Sequence, residues 1–205
     1  MITIAVSKGY LFQESLNLFK KIGILFDDDL ETSRKLFSTD RSKTFRLLMI
    51  RPWDVPTYVE NGSADLGIVG HDVLQEQQSG LTRLLDLKFG ACKLVLAGLH
   101  KTQPDALSHN TVIATKYPTC TERYFQGKGI KVNILKLYGA IELAPLAGLS
   151  DIICDLTATG KSLKENNLYI IDTLFQSTAT LVSNPTSLKI HYNTLTTLCK
   201  QLIQA

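Results

Sequence analysis

The chain of 205 residues is long enough to bury a core of its own without disulfide bonds or a structural metal. Hydrophobic residues make up 44% of it and charged residues 20%, which is ordinary globular usage and argues against wholesale disorder. The formal net charge of +3 is too small to indicate nucleic acid as the main partner, although it is compatible with one local anion site.

The spacing of cysteine and histidine argues against a metal or redox centre. The four cysteines are far apart with no C-x-x-C, and the histidines form no H-x-x-x-H pair. Three of the cysteines lie in apolar contexts that are typical of small buried hydrophobes. The apolar start is interpreted as a strand and not as a signal peptide, and no uncharged apolar stretch approaches the roughly 18 residues of a membrane span. We therefore expect a cytoplasmic protein with reduced thiols and no membrane partner.

Short apolar runs alternate with amphipathic segments of helical length, which predicts an α/β protein with mostly parallel sheets. In chain order, strands are expected at residues 2–6, 47–50, 65–70, 92–99, 111–115, 131–137, 151–156 and 179–182. Helices are expected at 11–22, 55–60, 73–77, 121–126 with Thr121 as the cap, 141–146, and as one amphipathic helix after Pro185.

The apolar run that ends at Asp155 is followed by hydroxyl side chains and a glycine. Thr157, Thr159, Gly160 and Ser162 precede a segment that can start a helix. Hydroxyls and backbone N–H groups at such a strand-to-helix turn suit a phosphate, and glycine lets the backbone approach it closely. Asp155 is placed to accept hydrogen bonds from sugar hydroxyls. An ordinary turn with a Ser/Thr cap is the alternative interpretation.

Three other strand ends carry candidate ligand-binding residues. Lys8 follows the first strand, on the side where open α/β sheets bind ligands, although a solvated lysine would look the same. Arg51 follows a buried strand and can clamp phosphate oxygens, or it forms a structural salt bridge with Asp54. Glu142 follows another strand and either faces the same ligand or is a solvated helical acid.

Several catalytic signatures are missing from the sequence. The Gly160-Lys161-Ser162 run is similar to the end of a Walker A motif, but Asp155 stands where that motif needs its first glycine, and an acid there would repel a triphosphate. The chain contains no G-x-S-x-G, H-E-x-x-H or G-x-G-x-x-G. P-loop, hydrolase, zincin and Rossmann interpretations therefore lose their main support.

Short motifs run through nearly the whole chain in one order. They are K-G at 8–9, R-P-x-D-V-P-x-x-V-E-x-G-x-x-D-L-G-I-x-G at 51–70, F-G-x-C-K-L at 89–94, A-T-x-Y-P at 114–118, G-x-x-E-L-A-P at 139–145, and G-L-x-D at 148–151 leading through the turn to 163. Each motif is weak alone, but the ordered set resembles ATP phosphoribosyltransferase, the enzyme that opens histidine biosynthesis. Tyr10 stands where the family commonly has arginine, and Ala158 where it often has glutamate.

The resemblance implies a two-lobed fold like that of periplasmic binding proteins, with a cleft between the lobes. The first, discontinuous α/β domain would comprise residues 1–90 plus 176–205, and residues 91–175 would form the second, which carries the phosphoribosyl-binding turn. The length fits the short form of the family. That form implies a homodimer that assembles with a regulatory subunit resembling histidyl-tRNA synthetase into a hetero-oligomer, and no nucleic-acid partner.

Residue roles also follow from the resemblance. The residues that would bind phosphoribosyl pyrophosphate are Glu142, Asp155, Thr157, Ala158, Thr159, Gly160, Lys161 and Ser162. Lys8, Gly9 and Arg51 would bind ATP, and the catalytic set would be Arg51, Lys8 and Arg34, the last reaching a neighbouring subunit's site. Mg²⁺ is the implied cofactor, carried by the substrate pyrophosphate and not by a metal site of the protein.

The implied reaction is attack by N1 of the ATP adenine on C1 of the ribose, with loss of pyrophosphate. The alternatives are a small-molecule or oxyanion-binding module of the same fold without catalysis, and an inert relative retained for assembly, because fold alone does not determine function.

Overall fold

The computed structural model describes residues 1–26, 35–101, 104 and 107–205. Eleven strands lie in these ranges: β1 (Ile2–Ser7), β2 (Phe37–Thr39), β3 (Phe45–Ile50), β4 (Leu66–Gly70), β5 (Thr82–Asp86), β6 (Cys92–Gly98), β7 (Val112–Thr115), β8 (Asn133–Lys136), β9 (Ile152–Thr157), β10 (Tyr169–Ser177) and β11 (Ala179–Ser183). Eight α-helices lie in the same ranges: α1 (Tyr10–Lys21), α2 (Val55–Glu60), α3 (His71–Glu76), α4 (Pro118–Gly127), α5 (Leu143–Leu146), α6 (Lys161–Glu165), α7 (Pro185–Ile190) and α8 (Tyr192–Gln204).

The first of two compact units comprises Met1–Leu74, Gln78–Gly90 and Thr178–Ala205. Its six-stranded sheet has the order β2-β3-β1-β4-β11-β5. β1 is buried along nearly its whole length because it lies inside this sheet, which explains its continuous apolar sequence. One core includes Phe19 of α1 and Leu195 of α8, and a second core includes residues of α2 and α3.

The second unit comprises Gln75–Gln77 and Ala91–Ser177. Its five-stranded sheet has the order β10-β6-β9-β7-β8. Ile141, Ala144 and Leu163, from the α5 and α6 regions, pack in one core with Ile153 of β9. Because β9, β7 and β8 run parallel, the loops that follow them lie at the same edge of the sheet.

Both sheets are mixed and not mostly parallel, which corrects that part of the sequence-based expectation. Four strand pairs are parallel and five are antiparallel in the described part of the chain. A parallel pair needs a crossover connection, usually a helix, to return the chain to the edge where it started. β6 and β11 each follow a strand of the other sheet without an intervening helix, and both run antiparallel to their neighbours.

The sequence pattern differs from the structure at a few further points. It does not predict β2, β5 or β10. The segment that begins at Pro185 forms two helices and not one: the first ends at Ile190, and the second begins at Tyr192. Thr121 is not the cap of α4: the helix begins at Pro118, and the Thr121 hydroxyl donates to the Tyr117 carbonyl at 2.7 Å.

Asp65 ties the C-terminal helices to the first sheet. Its carboxylate accepts hydrogen bonds from the Thr3 N–H and the Ser187 hydroxyl, each at 2.8 Å, and lies 3.7 Å from His191 Nε2. Asn184 caps α7 by accepting from the Ser187 N–H. These bonds hold α7 against β1, which carries Thr3, and against Asp65, which directly precedes β4.

The four cysteines are free thiols. Cys120 and Cys154 are buried, as expected for small hydrophobes, whereas Cys92 and Cys199 are half-buried. Among the described helices, none combines the length and the apolar character that crossing a bilayer requires.

Candidate functional site

The segment between β9 and α6 forms a tight turn that is held by its own threonines. The Gly160 N–H donates to Thr157 Oγ1 at 2.9 Å, and the Lys161 N–H lies 3.4 Å from Thr159 Oγ1. Gly160 has a φ of 75°, in the left-handed region that glycine adopts without strain. The predicted strand-to-helix turn is therefore present, and glycine is the residue that its geometry requires.

This turn offers donors to an anion. Within the described ranges, the N–H groups of Ala158 and Thr159 have no hydrogen-bond acceptor, and the side chains of Thr159 and Lys161 are exposed. Because α6 is only five residues long, its summed dipole is small and the local donors dominate. Adjacent backbone N–H groups with hydroxyls and an ammonium group suit a phosphate.

Glu142 reaches the turn from the loop between β8 and α5. Its carboxylate accepts a hydrogen bond from the Ser162 hydroxyl. In the same loop Ala140 has a φ of 50°, which is uncommon for a residue with a side chain. The structure thus brings Glu142 together with the turn, as a partner of its last hydroxyl.

Asp155 lies half-buried on β9, and burial is the main reason that its pKa is raised to about 6. The negative charge of Glu142 raises the pKa further, whereas the Leu156 N–H, which donates to Asp155 Oδ1 at 2.8 Å, and the charge of Lys116 lower it. Asp155 is therefore about half ionised near pH 6 and mostly ionised at neutral pH. As a carboxylate it can accept hydrogen bonds from the hydroxyls of a sugar.

Lys8, Gly9 and Arg51 lie in the first unit, at the carboxyl ends of two adjacent parallel strands. β1 and β3 pair over their full length, and the Lys8 N–H donates to the Ile50 carbonyl at 2.8 Å. The side chains of Lys8 and Arg51 are exposed. Among the residues that the structure describes, no carboxylate lies within salt-bridge distance of Arg51, so the alternative of a bridge to Asp54 is not observed.

The candidate residues therefore form two groups. One group lies in the second unit: Glu142, Asp155, Thr157, Ala158, Thr159, Gly160, Lys161 and Ser162. The other is Lys8, Gly9 and Arg51 in the first unit. Arg34 lies outside the described residues.

Two lysines beside the turn were not predicted from the residue pattern. Lys93 of β6 pairs with Thr157, and Lys116 follows β7 next to β9. Both are brought to the turn by pairing between strands that are distant in sequence, so no local pattern indicates them. The motif F-G-x-C-K-L includes Lys93 and could have indicated it, whereas Lys116 stands at the unspecified position of A-T-x-Y-P.

Comparisons with known proteins agree on one family. The family model described as HisG, ATP phosphoribosyltransferase, matches residues 51–204. The ATP phosphoribosyltransferase of Geobacter metallireducens is 47% identical over 204 residues, covering 98% of this chain and 96% of that protein. The ATP phosphoribosyl transferase (HisG:HisZ) complex from Thermotoga maritima aligns with a TM-score of 0.84 and 35% identity, covering 100% of this chain and 98% of that chain.

A more distant likeness concerns the fold alone. The periplasmic aliphatic sulphonate binding protein SsuA from Escherichia coli aligns with a TM-score of 0.61 and 12% identity, covering 98% of this chain and 67% of that chain. Two compact α/β units, each built on a mixed sheet, define the structural class to which the chain belongs. Within that class, this chain belongs to the HisG family of ATP phosphoribosyltransferases, because the family model spans most of it and close relatives align along nearly all of it. It is therefore a transferase.

Proposed function

We propose that this chain transfers the 5-phosphoribosyl group from phosphoribosyl pyrophosphate to N1 of ATP and releases pyrophosphate, the first step of histidine biosynthesis. The observation that carries the proposal is the turn from Asp155 to Ser162, which combines backbone donors, hydroxyls and two acidic neighbours in a chain of this family. A binding module without catalysis is not favoured, because the likeness to SsuA is confined to the fold.

In this reaction the N1–C1 bond forms while the bond from C1 to the pyrophosphate oxygen breaks. The ribose gains oxocarbenium character, and negative charge grows on the departing pyrophosphate. The turn would hold the 5-phosphate, and Asp155 and Glu142 would accept hydrogen bonds from the ribose hydroxyls. Their two negative charges would also stabilise the cationic sugar. Catalysis of this kind depends on positioning and electrostatics and needs no protein nucleophile.

Lys8, Gly9 and Arg51 would bind the ATP and pyrophosphate side of the reaction. Support comes from their position at the ends of adjacent parallel strands and from the exposure of both cationic side chains. A guanidinium can hold two phosphate oxygens at once, which suits Arg51 to the charge that develops on the leaving group. Arg34 is proposed to act at a neighbouring subunit's site.

Mg²⁺ is the proposed cofactor. Among the described residues, no cluster of three or more His, Cys, Asp or Glu side chains could hold a metal ion. In the proposed arrangement the ion is bound by the pyrophosphate of the substrate, where its charge would stabilise the leaving group. The part left to the protein is to bind the sugar phosphate and orient C1 towards the adenine.

We also propose that the chain forms a homodimer and assembles with a HisZ-like regulatory subunit, in the cytoplasm. Support comes from the Thermotoga maritima protein, which was solved as a HisG:HisZ complex and aligns with all of this chain. We further propose that the chain has two domains, the first comprising residues 1–90 plus 176–205 and the second residues 91–175. The phosphoribosyl-binding turn would lie in the second domain.

The direct test mixes the protein with ATP, phosphoribosyl pyrophosphate and Mg²⁺ and follows the ultraviolet absorbance of phosphoribosyl-ATP. Product formation is expected. The absence of product with folded protein, both alone and with its regulatory subunit, would reject the proposed reaction.

Arg51→Ala tests the role of the first-unit residues. We expect kcat to fall about 100-fold, as is typical when one donor to a developing oxyanion is removed, with a modest change in substrate affinity. Arg41→Ala is a suitable control, because Arg41 is also an exposed arginine of the same unit. Near-normal turnover of Arg51→Ala would remove that residue from the mechanism.

A further inference from the structure

Lys116 is the first residue after β7, the strand that pairs in parallel with β9. The last pair of this ladder is Thr115 with Cys154, and the Thr115 hydroxyl donates to the Cys154 carbonyl at 2.6 Å, which fixes the register. The next residues along the two strands are Lys116 and Asp155. Strand pairing therefore places the lysine beside the acid.

The strand residues two positions before Lys116 and Asp155 face one core. Ala114 and Ile153 belong to the core that includes residues of α5 and α6. Because side chains alternate along a strand, residues two positions further on return to the same face. Asp155 of β9 is such a residue, Lys116 lies in the bend directly after β7, and both are half-buried. Their charges therefore interact where solvent screening is weaker than at an open surface.

The positive charge of Lys116 offsets the repulsion between the carboxylates of Asp155 and Glu142. Burial and the neighbouring carboxylate of Glu142 both disfavour ionised Asp155, whereas the positive charge of Lys116 favours it. A sugar hydroxyl donates more strongly to a carboxylate than to a neutral carboxylic acid. The lysine thus supports the charge state in which Asp155 is the better acceptor.

Each element packed against β9 contributes charge near this corner. β6 contributes Lys93, which pairs with Thr157 at the end of β9 and is exposed. The α6 helix contributes Lys161, whose Nζ lies 3.8 Å from Glu165 Oε1. The loop before α5 contributes Glu142, and β7 contributes Lys116. Among these cations, Lys116 is the one that follows the strand position paired next to Asp155 and whose charge lowers the pKa of Asp155.

We propose that Lys116 is a positioning residue for phosphoribosyl pyrophosphate, which keeps Asp155 in the charged form that accepts hydrogen bonds from the ribose hydroxyls. The proposal rests on the proposed function. It adds a residue outside the Asp155–Ser162 turn, and it assigns to that residue an effect on the pH range of substrate binding and not direct contact with the substrate.

The test measures kcat/KM for phosphoribosyl pyrophosphate, and its affinity by calorimetry, from about pH 5.5 to about pH 8.5, a range that includes the ionisation of Asp155. Lys116→Met removes the charge but keeps the stem, Lys116→Gln is a second neutral variant, and Lys116→Arg keeps the charge. Lys164→Met is the matched control, because Lys164 is an exposed lysine of α6 outside the proposed binding set.

For both neutral variants we expect the acidic limb of the pH profile to move up by about one pH unit, the lower end of what a nearby opposite charge produces. Binding would then fall about fivefold at pH 6 and stay near the wild-type value at pH 8.5. Lys116→Arg and Lys164→Met should keep the wild-type limb.

Two outcomes would overturn the proposal. In one, the neutral variants keep the wild-type limb; in the other, Lys116→Arg moves it as far as Lys116→Met does, so that the effect is not one of charge. Both are measured in protein that still forms phosphoribosyl-ATP, so they leave the proposed reaction intact. Loss of product formation in the wild type would instead reject the proposed function.

Discussion

Gly160 has a left-handed backbone and lies in the turn that is proposed to bind the 5-phosphate. A Cβ at this position would meet no heavy atom within 4 Å, so a substitution there acts through the left-handed backbone and not through a clash. Gly160→Val should cost about 1–2 kcal/mol of stability, because a branched side chain disfavours this conformation. It should also distort the turn and abolish measurable binding of phosphoribosyl pyrophosphate by calorimetry.

Gly129 provides the matched control for this substitution. It also has a left-handed backbone, with a φ of 71° and open space where a Cβ would lie, but it follows α4 and not the turn. Gly129→Val should lose similar stability in urea unfolding and keep substrate affinity. Equal affinity in the two variants would contradict the placement of the phosphate at Gly160.

Replacing ionised Asp155 by asparagine should raise the free energy of unfolding. Since its pKa in the folded state, about 6, lies above the ordinary value, the folded state binds more protons than the unfolded state between about pH 4 and 6. Stability therefore falls as pH rises through that window. Asp155→Asn should gain on the order of 2 kcal/mol at pH 7.5, gain little near pH 4, and lose phosphoribosyl transfer.

Asp86 supplies a control of opposite sign. The hydrogen bond from Lys88 is the main cause that lowers its pKa to about 2. Its contribution to stability is present above the ordinary pKa and is lost as pH falls through the folded value, so Asp86→Asn should destabilise at pH 7.5. Thermal unfolding at pH 4, 5, 6 and 7.5 follows Asp155→Asn through its window, and the measurement at pH 7.5 tests Asp86→Asn. A lower melting temperature of Asp155→Asn at pH 7.5 would contradict the burial argument.

At the scale of elements, the sequence predicts the helices and strands whose apolar residues form a continuous or regularly spaced run. The run at 55–60 coincides with α2, and the runs that start at Ile2 and Cys92 are observed as β1 and β6 within one residue at their far ends. β2 is only three residues long, and β10 carries two irregularities in its pairing with β6 that interrupt its alternation. Neither leaves a periodic signal in the sequence.

The start of α4 shows a contact that only the folded structure reveals. The Glu76 carboxylate accepts from the N–H groups of Thr119 and Cys120, each at 2.9 Å, and so caps this helix from a segment distant in sequence. Glu76→Ala should lower the free energy of unfolding by about 1–2 kcal/mol, as the loss of a cap does, which urea unfolding measures.

The same substitution should change the reactivity of Cys120. Burial is the main cause that raises the pKa of this thiol, and the charge of Glu76 and its hydrogen bond raise it further. Glu76→Ala should therefore increase the alkylation rate of Cys120 at pH 9, read by peptide mapping, while Cys199, whose pKa is raised by burial alone, serves as the internal control. An unchanged ratio of the two rates would argue against this role of Glu76.

At the scale of the molecule, the candidate site was predictable where it is local and unpredictable where it depends on pairing. The turn from Thr157 to Ser162 is contiguous, so its hydroxyls and glycine are visible in the sequence. Lys116 and Lys93 join it only through the order and register of β6, β9 and β7. The hydrogen bond between Glu142 and Ser162 likewise joins residues that no periodic pattern connects.

The two units should differ in their ability to fold as fragments. All five strands of the second sheet lie within Ala91–Ser177, so a fragment of residues 91–177 contains its whole sheet and the turn. The first sheet needs β11, which lies between β4 and β5, so a fragment of residues 1–90 lacks an interior strand. We expect the fragment 91–177 to fold and to give dispersed amide NMR signals. Its stability should be lower than that of the same unit in the whole chain, because the fragment lacks Glu76. We expect the fragment 1–90 to be unfolded.

Ligand binding by the second fragment then separates fold from site. Because every proposed contact to the 5-phosphate comes from the turn after β9, ribose 5-phosphate should shift the amide signals of residues 157–162 in the fragment 91–177, and Gly160→Val should abolish those shifts. Adding a peptide of residues 178–205 to the fragment 1–90 should restore its sheet, since β11 pairs with both β4 and β5. A folded fragment 1–90 without this peptide would contradict the dependence of the first unit on its C-terminal segment.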